Sequence, residues 1–493
     1  MQEIIFSPCH QLLKMQLDKK ISAEELLQLF RQQIEQYNPV LNAIVATDFE
    51  AARLSARQAD NYLSKHQVLI GPLHGLPTAV KDIFATRNLK TTYGDPDKSK
   101  YVPTYDDVVV TRERAAGAVI LGKTNTPYYA SGGITRNEVY GLTRNPWNLK
   151  KTTSGSGGGG VSALASGMVA YADGSDVAGS VRSPGGWTNC VGFRPSSGRI
   201  PGYHGTLADG STSTAGVFTR CVRDAALFLQ ACDGPHRESL VPYPGALGGT
   251  LGFSRFPAAK AGMGFDVIPE LNMDPETSVS LKAVWAPVFS AKRLDNEIAT
   301  MLEDHRKTFE EILRVENVEL DFIDAYQSIY LDYNILAQVK SLPASVLQGF
   351  ENGRSIKPSV KGMIERCKSL DAISVMEVLN QREALWVRVQ KLFETHPLII
   401  SPIHPTRAFD ANDTVAESQY DWAGHYFAPL FGLPSISIPM GFTDDGMPCG
   451  LMITGKPGDD LLVLQTAHAF EQKNVFHLQI PDLSEVKGNK LSY

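Results

Sequence analysis

Between Lys151 and Pro184 the chain reads KTTSGSGGGGVSALASGMVAYADGSDVAGSVRSP, richer in glycine and serine than linkers of a packed domain require, yet with an apolar run from Val161 to Tyr171 inside it. A flexible linker would lack that run, and low-complexity Gly/Ser sequence would not carry Asp173, Asp176 and Arg182. The stretch therefore predicts a glycine-rich loop, a helix from about Val161 to Ala170, and a second tight loop ending on Ser180. Glycine permits positive φ and close approach, so such loops bring backbone N–H groups and hydroxyls up to a ligand. Both are candidate catalytic loops.

The surrounding chain sets the class of protein. At 493 residues it exceeds the usual single core, although one large α/β unit can absorb insertions. A hydrophobic content of 43% with 20% charged residues is that of a soluble globular protein. The net charge of −6, with Lys150-Lys151 as the longest basic run, argues against a nucleic-acid surface. The start, MQEIIFSPCHQLLK, has no apolar core flanked by positive charge, and no window approaches about 18 consecutive apolar residues. Neither a secretory signal nor a membrane span is expected, and the expected location is cytoplasmic. Cys9, Cys190, Cys221, Cys232, Cys367 and Cys449 form no C-x-x-C pair, which fits buried free thiols better than zinc ligands or a disulfide framework. No metal or other cofactor is called for.

Helical and strand signals alternate along the chain. Ser22-Ala23-Glu24-Glu25 makes a capping box for a helix carrying Leu26, Leu27, Phe30 and Ile34 and expected to stop near Tyr37, before Asn38-Pro39. A strand at Asn42 to Ala46 and a helix from about Phe49 to Lys65 follow. Thr78 to Ile83 reads as a strand holding Lys81, with Asp82 on its opposite face. Next come a helix Asp107 to Ala116, a strand Ala118 to Leu121, a helix Val222 to Cys232 and a strand Lys282 to Trp285. Two long helices, Asp295 to Val315 and Ala372 to Thr395, mark a charged region. Strands return at Leu398 to Ile400 and Ser435 to Ile438, and Asp445-Gly446 turns a hairpin into Cys449 to Ile453. Asp459 caps a last helix to Gln472, and the tail after Asn474 reads as a loosely attached surface segment. The fold class is α/β, a mixed sheet covered by helices on both faces.

Two nucleotide-binding patterns fail on context. Gly117 to Thr124 fits G-x-x-x-x-G-K-[ST], but a helix precedes it and Ala118 to Leu121 is itself a strand. Gly155, Gly157 and Gly160 fit G-x-G-x-x-G, but Lys150-Lys151-Thr152-Thr153 is not an apolar strand. No serine sits in G-x-S-x-G, and none of the eleven histidines is singled out by spacing, so His74, His404 and His425 read as structural.

Thr152-Thr153-Ser154-Gly155-Ser156-Gly157-Gly158-Gly159, followed by Asp176-Val177-Ala178-Gly179-Ser180-Val181-Arg182-Ser183-Pro184, resembles the signature of the amidase signature hydrolases. Gly75 to Asp82 looks like that family's lysine strand, and Gly122 to Pro127, Arg144 to Asn148, Gly432 to Pro439 and Phe442 to Gly446 are similar to further family blocks. Residues 8 to 235 and 396 to 472 carry the resemblance, and 250 to 395 carries little of it. The resemblance implies one domain over 1–493 with a divergent, helix-rich elaboration at about 250–395. It also implies a Ser–cis-Ser–Lys triad, with Ser180 as nucleophile, Ser156 as the bridging serine on a cis Gly155-Ser156 bond, and Lys81 as base. A lysine is a base near neutral pH only if burial or positive potential lowers its pKa, which an apolar strand supplies. Backbone N–H groups within Val177, Ala178 and Gly179, leading into Ser180, are the implied oxyanion donors.

Three positions depart from the family pattern: Ser154 stands where glycine is usual, Gly157 where a second serine is frequent, and Ala178 where glycine is common. The implied function is hydrolysis of a small-molecule carboxylic acid amide, a non-peptide C–N bond, through a Ser180 acyl-enzyme. The alternatives are the A subunit of a glutamine-dependent aminoacyl-tRNA amidotransferase, which works in a complex, and a non-catalytic relative. The divergent region and the departures around Ser156 favour the stand-alone enzyme. Acyl-pocket residues are expected from Tyr128 to Arg136 and from the helical region. Neither the amide nor the oligomeric state, a homo-oligomer included, is specified.

Overall fold

The computed structural model describes residues 2–201, 212–237, 239, 271–274, 278, 280–289, 293–340 and 342–488. Thirteen strands are described: β1 (Ile44–Thr47), β2 (Pro77–Lys81), β3 (Val119–Thr124), β4 (Arg136–Asn137), β5 (Gly141–Leu142), β6 (Ala172–Asp176), β7 (Val191–Arg194), β8 (Thr214–Thr219), β9 (Lys282–Trp285), β10 (Arg314–Glu316), β11 (Leu398–Pro402), β12 (Ser435–Phe442) and β13 (Pro448–Gly455). Eight form one mixed sheet in the order β10-β9-β11-β13-β12-β7-β8-β6, three form a second in the order β1-β3-β2, and β4 pairs with β5. A parallel bridge between Thr78 and Tyr171 sets the edge of β2 against β6. The Ala170 N–H donates to the Pro77 carbonyl at 2.9 Å, and the Thr78 hydroxyl to the Tyr171 carbonyl at 2.9 Å. Lys81, at the end of β2, is thereby brought beside β6.

Period-2 alternation divides the apolar side chains between two cores. Val80, Ile120 and Val217 face one core with Val222, Phe228, Val463 and Phe470 of flanking helices. Their neighbours Ala79, Val119, Leu121 and Phe218 face another with Leu27, Val161 and Leu164. Helices therefore cover both faces, and the mixed α/β architecture expected from the sequence is present.

Several expectations are corrected. The capped helix runs Ala23–Leu41 with Pro39 inside it. The missing Pro39 donor falls in the last turn, and the Asn38 carboxamide ties down the exit by accepting from Ala43 and Ile44 N–H and donating to the Ile44 carbonyl. The helix predicted at Val161 to Ala170 is Gly158–Ala165. It stops early because Gly167 takes φ +75°, with Gly167 N–H bonded to Leu164 and Met168 N–H to Ala163, a Schellman ending. The long helix expected over Asp295 to Val315 divides into Asn296–Asp304, Arg306–Glu310 and strand β10. β9, at the expected Lys282–Trp285, and β10 join the main sheet from within the helix-rich region, whose part from 250 to 270 lies outside the described residues. The tail is not loose either, since Leu483 and Val486 are buried in the second core and the Asn189 carboxamide bonds the Phe476 and Gln479 carbonyls.

Four helices, Ile323–Lys340, Ala344–Glu351, Pro358–Ser369 and Ala372–Thr395, build up one end of the molecule. Leu342, Val346, Val360 and Ile364 pack with Tyr128, so helices Ala344–Glu351 and Pro358–Ser369 close over the loop after β3. Among the described residues no helix is long and apolar enough to cross a membrane.

Candidate active site

Strand β2, the turn before helix Gly158–Ala165, and the loop between β6 and helix Arg182–Gly186 bring Lys81, Ser156 and Ser180 to one place. Lys81 is fully buried, and its Nζ lies 2.7 Å from Ser156 Oγ and 2.9 Å from Ser175 Oγ. Burial lowers the Lys81 ammonium from its ordinary range to about 7, against the opposing pull of Asp173 and Asp176. Asp173 also accepts the Lys81 backbone N–H at 2.6 Å, and burial pushes its own carboxyl up to about 6. The Gly155-Ser156 peptide is cis. On the other side of Ser156 the geometry is looser than a closed triad. Among the described residues no hydrogen bond joins the Ser156 and Ser180 hydroxyls. Ser180 is held through its carbonyl, which accepts the Gly157 N–H at 3.1 Å, and it lines the cavity with Ser156.

The loop bearing Ser180 is organised by Asp176. Its carboxylate accepts the Gly179 N–H at 2.9 Å and the Val181 N–H at 3.2 Å, and receives Arg182 through Nε and Nη2 at 3.0 Å each. Arg194 bonds the Asp176 carbonyl from the far side. Burial alone would raise this carboxyl, but the two guanidiniums overcome it and hold Asp176 well below the usual carboxylate range. Of the three residues expected to supply oxyanion donors, Gly179 has its N–H engaged by Asp176. Val177 and Ala178 line the cavity, and their N–H groups make no bond among the described residues. Gly179 itself sits at φ +90°, where a Cβ would lie 2.6 Å from His425 Cδ2, so no side chain fits.

The departures from the family pattern have local causes. Ser154 adopts φ +64°, the conformation that favours glycine, and its hydroxyl lies 2.7 Å from the Ser183 hydroxyl, which offsets the strain. A Cβ at Gly157 would lie 2.5 Å from Phe218 Cζ and 2.7 Å from the Ser180 carbonyl, so Phe218 excludes a serine there. Ala178 lines the open cavity and meets no such conflict.

The histidines read as structural differ in how their ring nitrogens are used. His74 Nδ1 accepts the Ile70 N–H at 3.1 Å. His404 stacks on Trp187 at 3.8 Å between centroids and bridges the Tyr420 hydroxyl to the Ser183 carbonyl, with burial lowering its pKa to about 3. His425 is buried against Gly179, and neither of its ring nitrogens has a hydrogen-bond partner among the described residues. Lys123, from the discounted phosphate-loop pattern, is buried and spends its ammonium on the Phe84 carbonyl and the Thr86 hydroxyl. Asp82 bonds Thr92 and lies in the turn after β2, which ends at Lys81 and so stops short of the strand expected to reach Ile83. All six cysteines are unpaired, five of them buried and Cys367 half-buried.

The cavity over Ser180 measures about 690 Å³. Tyr129 to Gly133 form one wall, as expected, and Gln338, Leu342, Lys357 and Met363 come from the helical region. Thr414, Glu417, Trp422 and Tyr426 complete it, and no spacing rule had pointed to them. Sequence reasoning also passed over Ser175, which stands two residues from Asp173 on β6 and so reaches the same neighbour, Lys81.

A mixed sheet that delivers a buried lysine and two glycine-loop serines to one cavity is the architecture of the amidase signature enzymes. The chain belongs to the amidase family, whose family model, described as Amidase, matches residues 25–248 and 283–464. It is 31% identical over 482 residues to the A subunit of the glutamyl-tRNA(Gln) amidotransferase of Halalkalibacterium halodurans, covering 94% of this chain and 97% of that one. Its fold is similar to a bacterial aryl acylamidase of the amidase signature enzymes, at a TM-score of 0.82 with 23% identity over 99% of both chains. It is likewise similar to the A subunit of the glutamyl-tRNA(Gln) amidotransferase of Thermotoga maritima, at a TM-score of 0.72 with 23% identity over 96% of this chain and 97% of that one.

Proposed function

We propose that this chain, as a single domain, cleaves a carboxamide C–N bond through an acyl-enzyme on Ser180. The observation that carries this reading is the 2.7 Å contact between the buried Lys81 amine and Ser156, on the floor of the cavity onto which Ser180 opens. A lysine titrating near 7 is neutral in useful amount at neutral pH and can take a proton that Ser156 relays from Ser180. The Ser156–Ser180 link closes when substrate arrives, because apo hydrogen bonds of this kind are often long until a reactant aligns them. The tetrahedral oxyanion falls to the N–H groups of Val177 and Ala178, since that of Gly179 serves Asp176. The departing amine takes the proton back from Lys81 through Ser156, and water then hydrolyses the ester by the same relay.

Two settings for this chemistry differ in what becomes of the ammonia or amine. The full-length likeness to the amidotransferase chain of Halalkalibacterium halodurans favours a component that supplies ammonia from an amide to a partner over the stand-alone hydrolase. That alignment runs through residues 250 to 395, so the region does not separate the two settings. The test is ammonia release by the purified chain, alone and with amidotransferase partner subunits, from glutamine and from simple amides. A fluorophosphonate should label Ser180 and fail on Ser180→Ala. Labelling that persists in the variant, or no turnover of any amide in either setting, overturns the proposal.

A further inference from the structure

Besides the reacting groups, the cavity holds a lysine that makes no direct ion pair among the described residues. Lys357 stands immediately before helix Pro358–Ser369 and lines the same cavity as Ser156 and Ser180. Its Nζ donates to the Ser131 carbonyl at 2.6 Å, and it forms no ion pair among the described residues. Its place relative to the serines follows from two close approaches. A Cβ on Gly132 would lie 2.7 Å from Lys357 Nζ, and a Cβ on Gly155 would lie 2.5 Å from the Gly132 carbonyl oxygen. Only the Gly132 backbone therefore separates the ammonium from the peptide that carries Ser156.

The carboxylate that shares this wall is already in use. Glu417 Oε1 accepts the Gly133 N–H at 2.7 Å and the Ile134 N–H at 3.0 Å, fastening the loop, and it favours the Lys357 ammonium through space without forming an ion pair with it. An ammonium has three donors, and one bond to Ser131 leaves two for a ligand. Burial and the nearby Arg136 disfavour the Lys357 ammonium more than Glu417 favours it, and a ligand carboxylate within hydrogen-bond reach would offset that cost. Leu342, Met363 and Tyr129 line the space alongside and suit a short methylene spacer. The positive end of helix Pro358–Ser369 adds to a field that the ammonium already sets.

We infer that Lys357 is a specificity-determining residue that receives a carboxylate on the amide substrate, at the end remote from the scissile C–N bond. This rests on the amide-cleavage reading of the Ser180 cavity and holds in either setting. The competing role, a purely structural tie between Lys357 and the Ser131 loop, would not discriminate between ligands of equal size.

Binding separates the two without turnover. Ser180→Ala protein is titrated calorimetrically with succinamate, glutaramate and adipamate, each against its neutral isostere succinamide, glutaramide or adipamide. At least one carboxylate should bind roughly tenfold or more tightly than its diamide, the scale of a charge-assisted hydrogen bond. Lys357→Met in that background should bring the ratio near one, and Lys357→Arg should keep most of it. Lys357→Gln replaces the methionine variant if that one does not fold, judged by circular dichroism. A ratio below about twofold throughout the series, against the charge-assisted scale, or a preference that survives loss of the ammonium, overturns the assignment. Hydrolysis of the diamides by the unaltered chain is read separately. Turnover without carboxylate preference sinks the Lys357 role alone, and preference without turnover in either setting sinks amide cleavage alone.

Discussion

The pH dependence of turnover tests the Lys81 assignment most directly. With Lys81 titrating at about 7, the neutral fraction is about 0.1 at pH 6 and about 0.9 at pH 8, whereas an ordinary lysine would be neutral only to about 0.0003 at pH 7. If neutral Lys81 is the base, kcat/KM should rise about tenfold per pH unit below 7 and level off by about pH 8. The perturbation is Asp173→Asn, which keeps an oxygen to accept the Lys81 N–H but removes a negative charge that favours the ammonium. Its removal should lower the Lys81 pKa and move the rising limb to more acid pH. Because burial raises Asp173 to about 6, its charge is already fading below that pH, so the variant and parent curves should converge on the acid side. The assay is initial-rate ammonia release from pH 5 to 10, with folding followed by circular dichroism. A flat profile, a plateau that begins only above about pH 9 where unperturbed lysines start to titrate, or a limb moved to alkaline pH by Asp173→Asn would refute the reasoning.

Three further outcomes follow from the geometry. Ser156→Ala should reduce kcat/KM by several orders of magnitude if Ser156 relays the proton, and a loss of only a few-fold would show that it does not. Asp176→Asn removes the charge that pairs Arg182 and Arg194 in a fully buried setting and should cost about 3–5 kcal/mol, read from denaturant unfolding. Since the folded Asp176 carboxyl is depressed, its contribution is present above the ordinary aspartate range and lost as pH falls, so the gap between parent and variant should close in acid. Gly157→Ser restores a serine frequent in the family but places Cβ 2.5 Å from Phe218 Cζ, and should destabilise by about 1–3 kcal/mol through overpacking. A Gly157→Ser protein as stable as the parent would show that Phe218 gives way freely.

The residue types needed for the chemistry were legible locally. Ser156 and Ser180 lie in glycine-rich loops, Lys81 in an apolar strand, and Asp176 and Arg182 within one short segment, so their local settings could be read from adjacent residues, whereas the choice of Lys81, Ser156 and Ser180 as a set came from the resemblance to the family. Strand and helix alternation likewise determined the α/β class, because period-2 and helical patterns are properties of adjacent residues. What stayed hidden depends on partners distant in the chain. Phe218 explains Gly157, Ser183 explains Ser154, and His425 explains the bare Gly179. The approach of β2 to β6, which sets Ser175 and Asp173 around Lys81 and helps to bury its amine, is a contact between residues about ninety positions apart. The cavity wall is assembled from residues 129–133, 338–363 and 414–426, where no local pattern marks a side chain as facing a ligand. Local preference can write the elements and supply the reactive groups, but desolvation and shape exist only once remote segments have closed around them.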